Sequence, residues 1–202
     1  MCGILGQVDY LSTSAWNESK FKKALSLQKH RGPDDSGVVV GENFIFGHRR
    51  LSIIDLDSHA KQPMTSSDGE VILVFNGEIY NYQELRKDLV KKGYSFSTKS
   101  DTEVLLYSYY EHGIECIQNF IGMFAFAIFD NRTQKTFIVR DRLGVKPLYY
   151  CKIKDTITFS SEIKSILELA DLDVALNIKA VSSYLSFRYP ILDDTFFDGI
   201  YS

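Results

Sequence analysis

The residue with the clearest chemical potential is the cysteine at the second position. A thiol is a good nucleophile near neutral pH only when a base or a positive charge lies beside it. Removal of Met1 would make Cys2 the first residue, and its own α-amine, with an ordinary pKa of about 7.7 to 8.0, could then accept the thiol proton. The N-terminus therefore predicts a nucleophile that carries its own base. A cysteine that follows the initiator by chance is the competing interpretation.

The short motifs of several other site classes do not occur in the sequence. It contains no Gly-x-Gly-x-x-Gly, no Gly-Lys-Ser/Thr, no His-Glu-x-x-His and no Gly-x-Ser-x-Gly. The four histidines lie in separate segments, and the three cysteines have no Cys-x-x-Cys spacing. We therefore expect no metal site, and we expect reduced thiols in a cytoplasmic protein.

Composition and charge narrow the possible partners. The 202 residues, 45% of them hydrophobic, are enough for one folded domain with a short extension. A net charge of −3 provides no positive field for phosphate backbones, so we expect neither nucleic acid nor membrane as a partner. The longest nearly apolar stretch, residues 123–129, is far shorter than the roughly 20 residues needed to cross a bilayer.

Hydrophobic periodicity predicts the elements that must position the nucleophile and its site. Alternating apolar residues indicate strands, and apolar residues three or four apart indicate helices. Predicted strands cover residues 4–10, 38–40, 44–47, 71–75, 123–130, 136–141, 148–152 and 156–160. Predicted helices cover residues 16–29, 81–93, 100–113, 161–169 and 177–187. Runs of strands with helices grouped between them predict an α+β protein with antiparallel sheets.

Six motifs follow one another along the first 150 residues. They are Met-Cys-Gly-Ile-Leu-Gly at 1–6, His-Arg-Gly-Pro-Asp-Asp-Ser-Gly at 30–37, Gly-His-Arg-Arg-Leu-Ser-Ile-Ile-Asp at 47–55, Phe-Asn-Gly-Glu-Ile-Tyr-Asn-Tyr at 75–82, Ser-Asp-Thr-Glu at 100–103 and Arg-Asp-Arg-Leu-Gly-Val-Lys-Pro-Leu-Tyr-Tyr at 140–150. In this order they resemble the glutaminase domain of glutamine-hydrolysing asparagine synthetases. The resemblance implies a class II glutamine amidotransferase with the N-terminal-nucleophile hydrolase fold, a four-layer αββα sandwich with two antiparallel sheets.

The resemblance also implies the catalytic roles. Cys2 would attack the side-chain amide carbon of L-glutamine and form an acyl-thioester. The Asn76 side-chain amide and the Gly77 backbone N–H would bind the substrate and form the oxyanion hole, where each donor can be worth about 3 kcal/mol. The residues alone also fit a hairpin turn at Asn76-Gly77, and we expect a tight turn after the strand at 71–75 to aim the Gly77 N–H into a pocket.

The two charged groups of free glutamine require one fixed cation and one fixed anion. Arg50 is expected to hold the α-carboxylate in a bidentate fork, and Asp101 is expected to face the α-ammonium. Arg49 should point to the opposite face of its strand. The resemblance adds Glu78 near the ammonium and, along the glutamine, the backbone groups of Leu51, Ser52, Ile53 and Ile54.

The resemblance divides the chain into a glutamine amidotransferase domain at residues 1–170 and, at 171–202, the start of a connection to an ATP-dependent synthetase domain. The Ser-Gly-Gly-x-Asp-Ser loop of that synthetase does not occur in these residues. We therefore expect no cofactor for this chain, with ATP and Mg²⁺ only in the synthetase domain. The expected partners are L-glutamine and the protein's own C-terminal synthetase domain, which in this family most often converts aspartate to asparagine; a homodimer is left open.

Three alternatives remain open. Glucosamine-6-phosphate synthase, amidophosphoribosyltransferase and glutamate synthase have related glutaminase domains, but the sugar-phosphate enzymes have an Arg-Gly-Tyr-Asp-type loop where this chain has Arg31-Gly32-Pro33-Asp34. An asparagine synthetase-like protein could amidate a different carboxylate. A catalytically silent binding module is the third alternative, because a retained Met1 would block the amine of Cys2. We interpret Arg140-Asp141-Arg142 as ion pairs that fix neighbouring loops.

Overall fold

The computed structural model describes residues 1–11, 15–52, 61–170, 172, 174–189, 191 and 193–202. Its strands are β1 (Gly3–Asp9), β2 (Asp35–Val40), β3 (Phe44–Arg50), β4 (Met64–Thr65), β5 (Val71–Ile79), β6 (Gly122–Asp130), β7 (Lys135–Arg140), β8 (Tyr149–Ile153) and β9 (Thr156–Ser160). Its helices are α1 (Glu18–Ser26), α2 (Tyr82–Lys91), α3 (Asp101–His112), α4 (Ile163–Leu169) and α5 (Ile178–Phe187), with a 3-10 helix at Gly113–Asn119.

The strands form two antiparallel sheets. Sheet 1 has the order β2-β3-β1-β9-β8, and sheet 2 has the order β4-β5-β6-β7. The consecutive strands β6 to β9 are therefore divided between the sheets, with β6 and β7 in sheet 2 and β8 and β9 in sheet 1. The predicted α+β class with antiparallel sheets is confirmed.

Alternation along β5 explains how the layers stack. Ile72 and Val74 face sheet 1, where they pack with Phe46 and Phe159 in the core between the sheets. Leu73 and Phe75 face the other way and pack against α3, as the strand period of two requires. On the far side of sheet 1, apolar residues of β1 and β3 pack against α1 and α4. The result is the expected four-layer αββα sandwich.

One local expectation was wrong. The strand predicted at 71–75 continues to Ile79, so Asn76 and Gly77 lie inside β5 and form no hairpin turn. Gly77 faces Phe124 of β6, and a Cβ atom at this glycine would lie 2.5 Å from the Met123 carbonyl oxygen. The glycine thus permits close approach of two backbones rather than a turn.

The C-terminal residues return to the edge of sheet 1. Tyr201 forms an antiparallel bridge with Tyr150, and Ile200 is buried with Cys151 and Ile166. Within the described ranges, no helix is both long enough and apolar enough to span a membrane.

Candidate active site

A cavity of about 260 Å³ lies at the end of the sandwich where β1 begins and β3 and β5 end. Every predicted site residue that the structure describes lines it, although these residues come from distant parts of the chain. They are Cys2, Arg50, Leu51, Ser52, Asn76, Gly77, Glu78 and Asp101. The remaining two predicted residues, Ile53 and Ile54, lie outside the described residues.

Strand alternation directs Arg50 toward the cavity. On β3, Phe44 and Phe46 face the space between the sheets, and Arg50 lies on the same face and is buried. Arg49 lies on the opposite face, as expected, and its Nε donates a hydrogen bond to the Gly32 carbonyl at 3.0 Å. The pairing of Gly3 with Arg49 places Cys2 beside the end of β3.

The thiol of Cys2 is held against the residue that follows β3. Its Sγ donates to the Leu51 carbonyl at 3.7 Å, and the Leu51 N–H lies 3.5 Å from the same sulfur. Arg31 Nε donates to the Cys2 carbonyl at 3.0 Å and so fixes the main chain of the nucleophile. Burial raises the pKa of the Cys2 thiol. The Leu51 N–H, the positive charge of the Met1 amine and Arg50 lower this pKa. With a raised pKa, this thiol needs a base to react near neutral pH.

The Asn76 side chain offers an unused hydrogen-bond donor. It projects from the face of β5 that also carries Ile72 and Val74, and the residue is 1% exposed. Its Nδ2 is buried without a hydrogen-bond partner among the described residues. An unsatisfied buried amide costs about 1–3 kcal/mol. Since the cavity is the open space beside it, a ligand there can accept this hydrogen bond.

Gly77 presents a second donor, through its backbone. The N–H groups of alternate residues on β5 point away from β6, and two of them are satisfied by side chains. Phe75 N donates to Gln62 Oε1 at 2.6 Å, and Ile79 N donates to Asp101 Oδ2 at 3.0 Å. The Gly77 N–H lies between them, lines the cavity, and has no partner in the part of the chain that the structure describes.

Asp101 is positioned as the first residue of α3. Ser100 caps this helix, and its Oγ accepts a hydrogen bond from the Glu103 N–H at 3.3 Å. Burial raises the pKa of Asp101 to about 6, against the lowering effect of the Ile79 and Thr102 N–H groups, and the charge of Glu78 adds to the rise. A cation placed against this carboxylate would favour its charged form.

Sequence reasoning missed several residues of the cavity wall. Gln62 had no motif around it, yet besides its bond to Phe75 it donates from Nε2 to Thr102 Oγ1 at 3.3 Å. Ser100, Thr102, Met123 and Lys146 also line the cavity. Lys146 belongs to the motif at 140–150, so the signal for it was present.

The expected ion pairs of Arg140-Asp141-Arg142 are absent from the described residues. The loop is fixed instead by hydrogen bonds between its side chains and backbone groups. The Asp141 carboxylate accepts from the N–H groups of Phe124, Leu143, Val145 and Lys146. Arg140 donates to the carbonyls of Gly144 and Lys146, each at 2.8 Å. In the same ranges, no three His, Cys, Asp or Glu side chains converge in a way that could hold a metal ion.

Solved structures of other proteins share this αββα sandwich. The glutamine phosphoribosylpyrophosphate amidotransferase of Bacillus subtilis matches with a TM-score of 0.71 and 21% identity, over 83% of this chain and 43% of that one. A structure described as the allosteric regulatory enzyme of purine biosynthesis matches with a TM-score of 0.69 and 20% identity, over the same shares.

The chain belongs to the glutamine amidotransferase domain family, whose sequence model matches residues 1–202. It is 42% identical over 191 residues to glutamine-hydrolysing asparagine synthetase 1 of Bacillus subtilis, covering 94% of this chain and 30% of that protein. It is 41% identical over 181 residues to a probable glutamine-hydrolysing asparagine synthetase of Schizosaccharomyces pombe, covering 87% of this chain and 32% of that protein. The chain thus spans about a third of the length of these curated relatives.

Proposed function

We propose that this chain hydrolyses L-glutamine to L-glutamate and ammonia through an acyl-thioester on Cys2. One observation carries the proposal: the Cys2 thiol, the Asn76 Nδ2 and the Gly77 N–H line the same cavity, and neither donor has a partner among the described residues. A nucleophile with two donors beside it is the arrangement that acyl transfer requires.

The reaction begins once Met1 has been removed. The α-amine of Cys2 accepts the thiol proton, and the thiolate attacks the side-chain amide carbon. The carbonyl oxygen then becomes an oxyanion, which accepts hydrogen bonds from Asn76 Nδ2 and the Gly77 N–H. Collapse of this intermediate expels ammonia, which takes the proton from the α-ammonium, and leaves the thioester. Water attacks the thioester with the amine again as the base, which releases glutamate and restores the thiol.

Substrate recognition uses the charges of the cavity wall. The Arg50 guanidinium binds the α-carboxylate, and the Asp101 carboxylate, with Glu78, faces the α-ammonium. The backbone of Leu51 and Ser52 lies along the substrate, and the sequence-based prediction for Ile53 and Ile54 falls outside the described residues.

The ammonia has a use only if another active site consumes it. We infer that residues 1–170 form the glutaminase domain of an asparagine synthetase-like protein, and that residues 171–202 begin the connection to a synthetase domain. That domain would use ATP and Mg²⁺ to amidate a carboxylate such as that of aspartate, and the glutaminase itself would use no cofactor. Both relatives are about three times as long as the part that matches this chain, which supports a further domain in an asparagine synthetase-like protein.

The test combines intact mass with activity. We expect a mass lower by about 131 Da, the residue mass of methionine, because the mechanism needs a free amine on Cys2. The trimmed protein should release glutamate from glutamine, and an electrophilic glutamine analogue such as 6-diazo-5-oxo-L-norleucine should label Cys2. The Cys2→Ala variant should be folded, inactive and unlabelled.

A trimmed protein that neither hydrolyses glutamine nor takes up the label would contradict the enzymatic proposal. Full retention of Met1, together with binding of glutamine and no turnover, would instead indicate a binding module.

A further inference from the structure

Lys146 lines the cavity, yet the reaction described above gives it no role. The residue is 6% exposed, and its main chain is held at both ends. Its N–H donates to Asp141 Oδ2 at 3.0 Å, and its carbonyl accepts from Arg140 Nε at 2.8 Å. A lysine held this firmly has a defined position relative to the sheet below it.

The strand register aligns Lys146 with the proposed oxyanion hole. Asp141 Oδ2, which binds the Lys146 N–H, also accepts from the Phe124 N–H at 3.2 Å, and Phe124 faces Gly77. Arg140, which binds the Lys146 carbonyl, faces Ala125 of β6, and Ala125 in turn faces Asn76. The residues that hold the Lys146 main chain are therefore bonded to, or paired with, the two β6 residues that lie opposite Asn76 and Gly77.

The ammonium of Lys146 has no protein counter-charge in the described ranges. It forms no hydrogen bond or ion pair there, although two carboxylates, Glu78 and Asp101, line the same cavity. Lys146 is 6% exposed as a whole residue and lines the cavity, so its ammonium can be compensated by water or by an anion bound there. The α-carboxylate of glutamine is already assigned to Arg50. The reaction itself produces one more anion in this cavity, the oxyanion beside Asn76 and Gly77.

We propose that Lys146 supplies the positive charge that stabilises the oxyanion of the tetrahedral intermediate. This inference rests on the proposed glutaminase function. The negative charge moves from the thiolate to the carbonyl oxygen as the C–S bond forms. When the C=O bond re-forms and the C–N bond breaks, the electron pair leaves with the nitrogen, which takes the proton from the α-ammonium and departs as ammonia. Lys146 keeps all of its protons throughout. A fixed cation in a site of low dielectric constant stabilises such a transient charge more than it would in water.

The test is a comparison of steady-state glutaminase kinetics in three variants. Lys146→Met keeps the length of the side chain and removes the charge, and Lys146→Arg keeps a charge. Lys135→Met removes one positive charge from the exposed start of β7, far along the strand from Arg140, and is the matched control. Thermal unfolding of each variant checks the fold.

We expect Lys146→Met to lower kcat about 10- to 100-fold, with little change in the KM for glutamine or in the inhibition constant of L-glutamate. Lys146→Arg should recover most of the lost kcat, and Lys135→Met should behave as the wild type does. An increase of KM and of the glutamate inhibition constant at unchanged kcat would overturn the proposal, since Lys146 would then bind a ground-state carboxylate. Wild-type kinetics in Lys146→Met would also overturn it. Neither result affects the glutaminase function, which the wild-type protein tests separately.

Discussion

Two buried polar side chains of the cavity, those of Asn76 and Asp101, are unfavourable in the free protein and would be stabilised by a bound ligand. The Asn76 amide is buried with an unused donor among the described residues, and burial raises the pKa of Asp101 to about 6. Each state costs the free protein stability, because a buried donor without a partner and a buried charge without a counter-ion have both lost their water. An oxyanion and an ammonium are the ligands that satisfy them, and glutamine hydrolysis brings both.

The Asn76→Ala substitution should impair the chemical step of glutamine hydrolysis without impairing glutamine binding. We expect kcat for glutamine hydrolysis to fall about 10²- to 10³-fold, because one oxyanion donor is removed, while KM changes little. Stability should change little, because removal of the unpaired Nδ2 donor offsets the packing that is lost with the side chain. The control is Asn43→Ala, in the turn between β2 and β3. A rise in KM at unchanged kcat would show that Asn76 acts in ground-state binding instead.

Asp101 should make glutamine binding depend on pH. The ordinary pKa of 3.8 is raised to about 6 by burial, so the carboxylate is charged above pH 6 and becomes protonated as the pH falls through 6. Binding of the α-ammonium should therefore weaken between about pH 7 and pH 5. Calorimetry on the Cys2→Ala protein measures this without turnover.

The Asp101→Asn substitution in the same background is the comparison. It should bind glutamine weakly at every pH in this range and should be at least as stable as its parent near pH 7, because a buried charge has been removed. Glutamine affinity that does not change with pH while Asp101 is present would rule out its assigned role.

At the scale of elements, the site depends on one edge of β5. Gln62 accepts a hydrogen bond from the Phe75 N–H, and Asp101 accepts one from the Ile79 N–H. The Gly77 N–H between them lines the cavity, where it can donate to a ligand. Gln62 also binds Thr102 at the start of α3. Gln62 therefore bonds both to β5, which carries the two oxyanion donors, and to α3, which carries Asp101.

Gln62→Leu should weaken both the fold and the chemistry. Loss of its carbonyl leaves the buried Phe75 N–H unpaired, which should lower the free energy of unfolding by about 1–3 kcal/mol. Displacement of Asn76 and Gly77 should also reduce kcat about 10- to 100-fold. Urea unfolding and steady-state kinetics measure the two effects, with Gln83→Leu on the exposed face of α2 as control. Lower stability with an unchanged kcat would limit Gln62 to a structural role.

At the scale of the whole molecule, His48 connects the two sheets. It belongs to β3 of sheet 1, and its Nε2 donates to the Phe75 carbonyl of β5 in sheet 2 at 3.1 Å. Burial lowers the pKa of His48 from 6.5 to about 3, although the bond to Phe75 acts in the opposite direction. The sandwich therefore accommodates the neutral imidazole and excludes the charged one.

This histidine should make the protein sensitive to mild acid. In the unfolded chain His48 protonates near pH 6.5, whereas in the folded protein it stays neutral down to about pH 3. Its contribution to stability is thus complete above pH 6.5 and is lost progressively below it. Asp101 contributes with the opposite sign between about pH 6 and pH 3.8, because its folded pKa is raised.

Urea unfolding at about pH 7 and pH 5 tests the prediction. His48→Gln, which keeps a donor and does not titrate, should show a smaller loss of stability on acidification than the wild type. His112→Gln, at the exposed end of α3, is the control and should keep the full loss. An equal loss in wild type and His48→Gln would assign the acid sensitivity to other groups.

The sequence by itself determined the class of the fold, most element positions and the residues to examine. Hydrophobic periodicity located the strands and helices because it follows from which face of each element is buried. The order of the motifs predicts functional roles for Cys2, Asn76, Gly77, Arg50 and Asp101.

Only the tertiary structure decided how those residues are arranged and which others join them. Asn76-Gly77 fits a turn locally, but its nine-residue strand depends on pairing with β6, about 50 residues away. Gln62 emerged because its partners, Phe75 and Thr102, come from other segments. Lys146 emerged because its loop lines a cavity whose other walls come from other segments. Whether a donor or a charge has a partner depends on all of the atoms around it. Most of those atoms belong to residues that are distant in the sequence, so local sequence patterns do not predict it.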